Sequence, residues 1–100
     1  MILYNVTVGI DRSVEEEWLD WMTSEHIPKV LSTGFFQDHR IFKVLSHDDE
    51  NTVSYSIQYY SDSLNKVEIY LTEFAPDLAE EHRLRYKDRH VAFRTLLQEI

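Results

Sequence analysis

The chain has 100 residues, 43% of them hydrophobic and 13% aromatic, with 18 acidic side chains against 10 basic ones. That length holds a single domain over residues 1–100, and a net charge of −8 leaves no basic footprint for nucleic acid or an anionic membrane surface. With no cysteine there is no disulfide framework, no thiolate zinc site and no thiol catalysis. The opening stretch MILYNVTV is too short and too strand-like for a signal sequence. No apolar run approaches the about 20 residues of a membrane span, so a cytoplasmic location is expected.

Ile2 to Ile10 alternates, with Ile2, Tyr4, Val6, Val8 and Ile10 on one face and Leu3, Asn5, Thr7 and Gly9 on the other, the pattern of a strand. Ser13 then opens a helix as N-cap, and Glu16 completes a capping box. Glu15 to Glu17 suit the positive helix end, and Val14, Trp18, Trp21 and Met22 recur at helical spacing. Pro28 removes a ladder donor and bends or restarts the helix near His26 and Ile27. Gly34 supplies the left-handed cap. Phe36 to Leu45 and Thr52 to Tyr60 read as two strands of a hairpin around the acidic stretch Ser46, His47, Asp48, Asp49, Glu50 and Asn51.

A second helix starts among Ser61, Asp62 and Ser63, with apolar positions at Leu64, Val67, Leu71, Phe74 and Leu78 and with Pro76 kinking or dividing it. Val91 to Leu97 reads as the last strand. The order β-α-β-β-α-β gives the α+β, ferredoxin-like arrangement, an antiparallel sheet with two helices on one face. The helix-covered face is expected to carry Tyr4, Val6, Val8, Tyr55, Ile57, Tyr59, Val91 and Phe93. The opposite face is expected to carry Asn5, Thr7, Ser54, Ser56, Gln58 and Arg94, mixed with Leu3, Ala92 and Leu96. That mixture suits packing against a second copy, so the chain itself is the expected partner, as a homodimer. Buried in such an interface, Arg94 needs a pairing carboxylate, for which Asp38 has compatible parity; its role is structural first and a substrate anchor second.

The segment WLDWMTSEHIPKV, Trp18 to Val30, resembles the helix of the dimeric α/β-barrel superfamily. In its EthD-like and antibiotic-biosynthesis-monooxygenase-like branches an aromatic-rich helix leads into a His-x-Pro step. From ILYNVTV through HIPKVLSTGFF to EHRLRY and VAFRTLL, the whole chain is similar to a family of short bacterial proteins described only as a domain of unknown function. The resemblance implies a ferredoxin-like fold closed into a dimeric α/β barrel. Because the superfamily holds monooxygenases, isomerases, haem enzymes and non-enzymes, it leaves the activity open.

His26 is the expected catalytic candidate, at the edge of the apolar helix face where a neutral imidazole can give or take a proton. The alternative is a structural ring that satisfies a backbone group freed by Pro28. His82 falls in phase with Leu64, Leu71 and Leu78, either as part of a pocket or as a satisfied core histidine. Tyr4, Trp18, Met22, Tyr55 and Tyr59 complete the expected pocket for a small planar ligand, or simply fill the core. No H-E-x-x-H or facial-triad spacing occurs, so no metal is expected. Nor is any cofactor expected, since Gly-rich phosphate loops, nucleophile elbows and dinucleotide fingerprints are absent. A small-molecule binder, a cofactor-independent monooxygenase- or isomerase-like enzyme using His26, and a ligand-free interaction protein remain as functions.

Overall fold

The alternating N-terminal segment forms β1, Ile2–Asp11, at the interior of a four-stranded antiparallel sheet in the computed structural model, which describes residues 1–46 and 49–100. Its neighbours are β3, Thr52–Ser61, and β4, His90–Gln98; β2, Asp38–Lys43, is the far edge, giving the order β2-β3-β1-β4. His47 and Asp48, in the middle of the expected hairpin stretch, lie outside the described residues. β2 is shorter than its apolar content suggests. Phe36 precedes it and turns into the core, with its ring 4.9 Å from that of Tyr70 and 5.3 Å from that of Tyr59.

The first helical segment is capped two residues earlier than the capping-box pattern implies. Asp11, not Ser13, is the acceptor: its carboxylate takes the Ser13 N–H at 2.9 Å and the Ser13 hydroxyl at 2.7 Å. A single 3-10 turn, Arg12–Val14, then leads into α1, Glu15–Trp21. Between α1 and α2, Ile27–Ser32, the backbone widens into a π-helical turn at Met22–His26. The Thr23 and Ser24 hydroxyls donate to the carbonyls of Leu19 and Asp20 there, at 2.9 and 2.6 Å. Pro28 occupies the first turn of α2, where its missing N–H costs little. The restart near His26 and Ile27 is therefore real, and a widened turn is how it is made.

Gly34 follows α2 with φ of +85°, and its N–H donates to the Leu31 carbonyl at 3.1 Å. A Cβ there would meet no atom within 4 Å, so the cost of a side chain is purely backbone strain. Gly34→Ala is expected to destabilise the domain by about 1 kcal/mol, read as a melting temperature lowered by roughly 4–8 °C.

Ser63 caps α3, Leu64–Glu73, its hydroxyl accepting the Lys66 N–H at 3.3 Å. Pro76 sits in the first turn of α4, Ala75–Arg85, and the chain breaks at Phe74 with φ of −120°. The helices cover one face of the sheet, burying Trp18, Ile27, Val30 and Val67 against Val8, Ile10 and Ile57.

Strand pairing corrects the expected faces of β4. Val6 pairs with Arg94 and Val8 with Ala92, so Arg94, Ala92 and Leu96 lie on the helix side. Val91, Phe93 and Leu97 lie on the open side, paired with Gly9, Thr7 and Leu3, and Val91 and Phe93 are 71% and 62% exposed. Arg94 therefore does not belong to the open face. A pair with Asp38 within the chain is excluded as well, because β2 and β4 are opposite edges and the two residues point to opposite faces.

Asn5, Thr7, Ser54, Ser56 and Gln58 do share the open face. Four of them form a chain with Tyr60. The Tyr60 hydroxyl donates to Gln58 at 2.7 Å, the Gln58 amide reaches Ser56 at 3.4 Å, the Ser56 hydroxyl donates to Asn5, and the Asn5 amide donates to Thr7 at 3.0 Å. This polar strip is flanked by exposed Phe42 on β2 and by Val91, Phe93 and Leu97 on β4.

Candidate functional site

A cavity of about 40 Å³ opens between the sheet and the helices. Tyr4 and Tyr59 reach it from the sheet, Met22 and His26 from the π-helical turn. α4 contributes Ala75, Ala79 and His82, an i, i+4, i+7 stripe whose two alanines leave the space that larger side chains would fill. Arg94 completes the lining and is its exposed member, at the edge-strand side. Sequence reasoning gave Arg94 a second role as substrate anchor but set it on the open face, and the signal that places it here is the pairing of Val6 with Arg94 rather than apolar count.

Trp18 and Tyr55, expected in the pocket, do not line it. Trp18 is fully buried behind His82, to whose Nε2 its indole N–H donates at 2.9 Å. Tyr55 packs on Trp18, with ring centroids 5.2 Å apart, and its hydroxyl donates to Glu15 at 2.5 Å. Burial, with that bond, holds its pKa up at about 12. The physical reason is depth. On α1, a full turn ahead of Met22, Trp18 meets the centre of the sheet and is covered on every side.

The two histidines meet at the cavity with ring centroids 5.9 Å apart. Since His82 Nε2 accepts a hydrogen bond, its neutral form carries the proton on Nδ1. Burial, with His90, His26 and Arg94 nearby, pushes His82 down to about 3. His90, which sequence reasoning did not single out, stacks edge-on against it at 4.7 Å, and its Nδ1 lies 2.8 Å from the Tyr86 carbonyl. A carbonyl only accepts, so that nitrogen is protonated.

His26 is held down to about 4, chiefly by burial. Glu81 offsets part of this, while Lys29 and Arg94 add to it. Glu81 is itself engaged by Lys29 at 2.9 and 3.2 Å. His26 Nδ1 is buried and has no hydrogen-bond partner among the described residues. The structural role expected for His26, a ring nitrogen bonded to a backbone group freed by Pro28, is therefore not made through Nδ1. Chemically the site offers two neutral imidazoles, phenol hydroxyls and one guanidinium, with no carboxylate in the lining. Among the described residues no group of three or more His, Asp or Glu stands close enough to hold a metal ion, and no helix is long and apolar enough to cross a membrane.

A four-stranded antiparallel sheet in the order 2-3-1-4, with its helices on one face, makes this an α+β protein of the ferredoxin-like class. The chain belongs to the family DUF4286, a domain of unknown function, which matches residues 1–100. No curated protein matches it in sequence. Among solved structures it is similar to an ethyl tert-butyl ether (EthD) family protein from Bacillus halodurans, with 9% identity, TM-score 0.68 and all of both chains covered. A dimeric ferredoxin-like protein from an uncultured marine organism shares 21% identity with TM-score 0.61, over 100% of this chain and 95% of that one. SnoaB, a cofactor-independent oxygenase from Streptomyces nogalater, shares 10% identity with TM-score 0.62, over 98% of this chain and 92% of that one. At these identities the likeness is one of fold.

Proposed function

We propose that the chain is a cytoplasmic, small-molecule-binding homodimer whose ligand enters the cavity between helices and sheet and meets His26. The observation that carries this is the unpartnered, buried Nδ1 of His26 on the wall of a cavity. A buried polar atom left unbonded costs about 1–3 kcal/mol, a cost that a bound group relieves. The homodimer is supported by the open sheet face, where Val91, Phe93, Leu97 and Phe42 stand in water around a polar strip. Covering that face removes the exposed apolar area, and the marine ferredoxin-like neighbour is described as dimeric. The cytoplasm suits a chain without cysteine.

A second reading, cofactor-independent catalysis, is favoured by one observation. His26 is neutral near physiological pH, and its unbonded Nδ1 makes it available as a base beside tyrosine hydroxyls. The oxygenase neighbour acts without a cofactor, in line with the absence of cofactor motifs here.

Native mass spectrometry of the purified protein tests both parts together. The expected result is a dimer carrying a small-molecule adduct, with a His26→Ala variant that stays dimeric and loses the adduct. A monomer refutes the assembly. Equal adduct on wild type and His26→Ala, or none on either, refutes the site.

A further inference from the structure

We infer that the cavity selects a carboxylate, with the guanidinium of Arg94 as its anchor and the acid's short apolar end lying among the alanines of α4. The inference rests on the proposed ligand site and adds the chemical class of what binds there. The donor inventory carries it. Arg94 lines the cavity and forms no salt bridge with any carboxylate among the described residues. Tyr4 lies within its reach, so a phenol hydroxyl stands beside the guanidinium. His82 has committed Nε2 to Trp18, which leaves its N–H on Nδ1, a nitrogen with no hydrogen-bond partner among the described residues. Against these donors, the lining holds no Asp or Glu.

An acceptor-rich, negatively charged group is what such a wall complements, and Arg is the side chain whose fork matches a carboxylate. The charge of the whole chain makes the placement more pointed. With 18 acidic residues against 10 basic ones, a guanidinium without a carboxylate partner among the described residues, at a cavity without acid, is against the trend of the surface. Size narrows the class further. At about 40 Å³ the cavity has room for roughly three waters, so it takes a carboxylate with only a few carbons, or the acid end of a longer molecule that leaves beside exposed Arg94. Ala75 and Ala79 give those carbons an apolar wall.

Propionate and its neutral isostere propionamide are the probes, titrated at constant ionic strength into protein whose histidine side-chain resonances are followed by NMR. Propionate is expected to shift His26 and His82, and to bind about tenfold or more tightly than propionamide. Arg94→Gln is expected to erase that preference, bringing propionate binding down to the level of propionamide. Equal binding of both probes overturns the carboxylate preference and leaves the cavity as a neutral-ligand site. A preference that survives Arg94→Gln overturns the anchor. Failure of both probes to move either histidine overturns this inference and the small-molecule site together.

Discussion

Acidification from about pH 7 to pH 4 is expected to cost the fold on the order of 5 kcal/mol, most of its stability, through two histidines. His26 and His82 have folded-state pKa values near 4 and 3, below the 6.5 of an exposed imidazole. The unfolded chain therefore takes up protons first. Stability is complete above pH 6.5 and falls as the pH drops toward 4, with a slope approaching two protons. Asp11 and Glu80, whose pKa values are lowered from 3.8 and 4.5 by their hydrogen bonds, act only in the lower range. The upper part of the curve thus belongs to the imidazoles. Urea unfolding across this pH window measures it, and His82→Gln, which keeps an acceptor for Trp18 but cannot titrate, is expected to remove about half of the slope. A flat stability between pH 7 and pH 5 would show that the rings are not held neutral by burial.

The period-two pattern of Ile2 to Ile10 was enough to place β1, because both faces of an interior strand are constrained by neighbours. Pro28 and Pro76 likewise announced their breaks, since a missing N–H acts locally whatever surrounds it. β4 was legible as a strand but not in its facing. Its alternation pits Val91, Phe93 and Leu97 against Ala92, Arg94 and Leu96, and apolar content points the bulky set toward the helices. Pairing with β1 decides otherwise, and register of an edge strand is a property of the whole sheet rather than of its own residues. The same distance from local sequence hid the cavity. Trp18, Met22 and His26 fall on one helical stripe, yet the π-helical turn re-aims the last two toward the alanines of α4 while Trp18 stays in the core.

Trp18→Phe is expected to destabilise the protein by about 2–4 kcal/mol, more than its loss of area alone accounts for. The indole is fully buried, so truncation leaves a void against Tyr55. It also strips His82 Nε2 of its donor at a depth water does not readily reach. These two costs separate in a double-mutant cycle. With His82→Phe already in place no acceptor remains to be orphaned, so the further cost of Trp18→Phe should shrink to the packing part. The hydrogen bond also stabilises the neutral imidazole, so its removal should raise the His82 pKa toward 6.5 and make the acid limb, the loss of stability on acidification, smaller and ending at a higher pH. Trp21→Phe is the control. Trp21 is also buried on α1 and lies 5.8 Å from the His82 ring, but it makes no hydrogen bond to it. It should cost packing energy and leave that limb in place. If Trp18→Phe and Trp21→Phe shift the acid limb equally, ring packing rather than the indole hydrogen bond keeps His82 neutral.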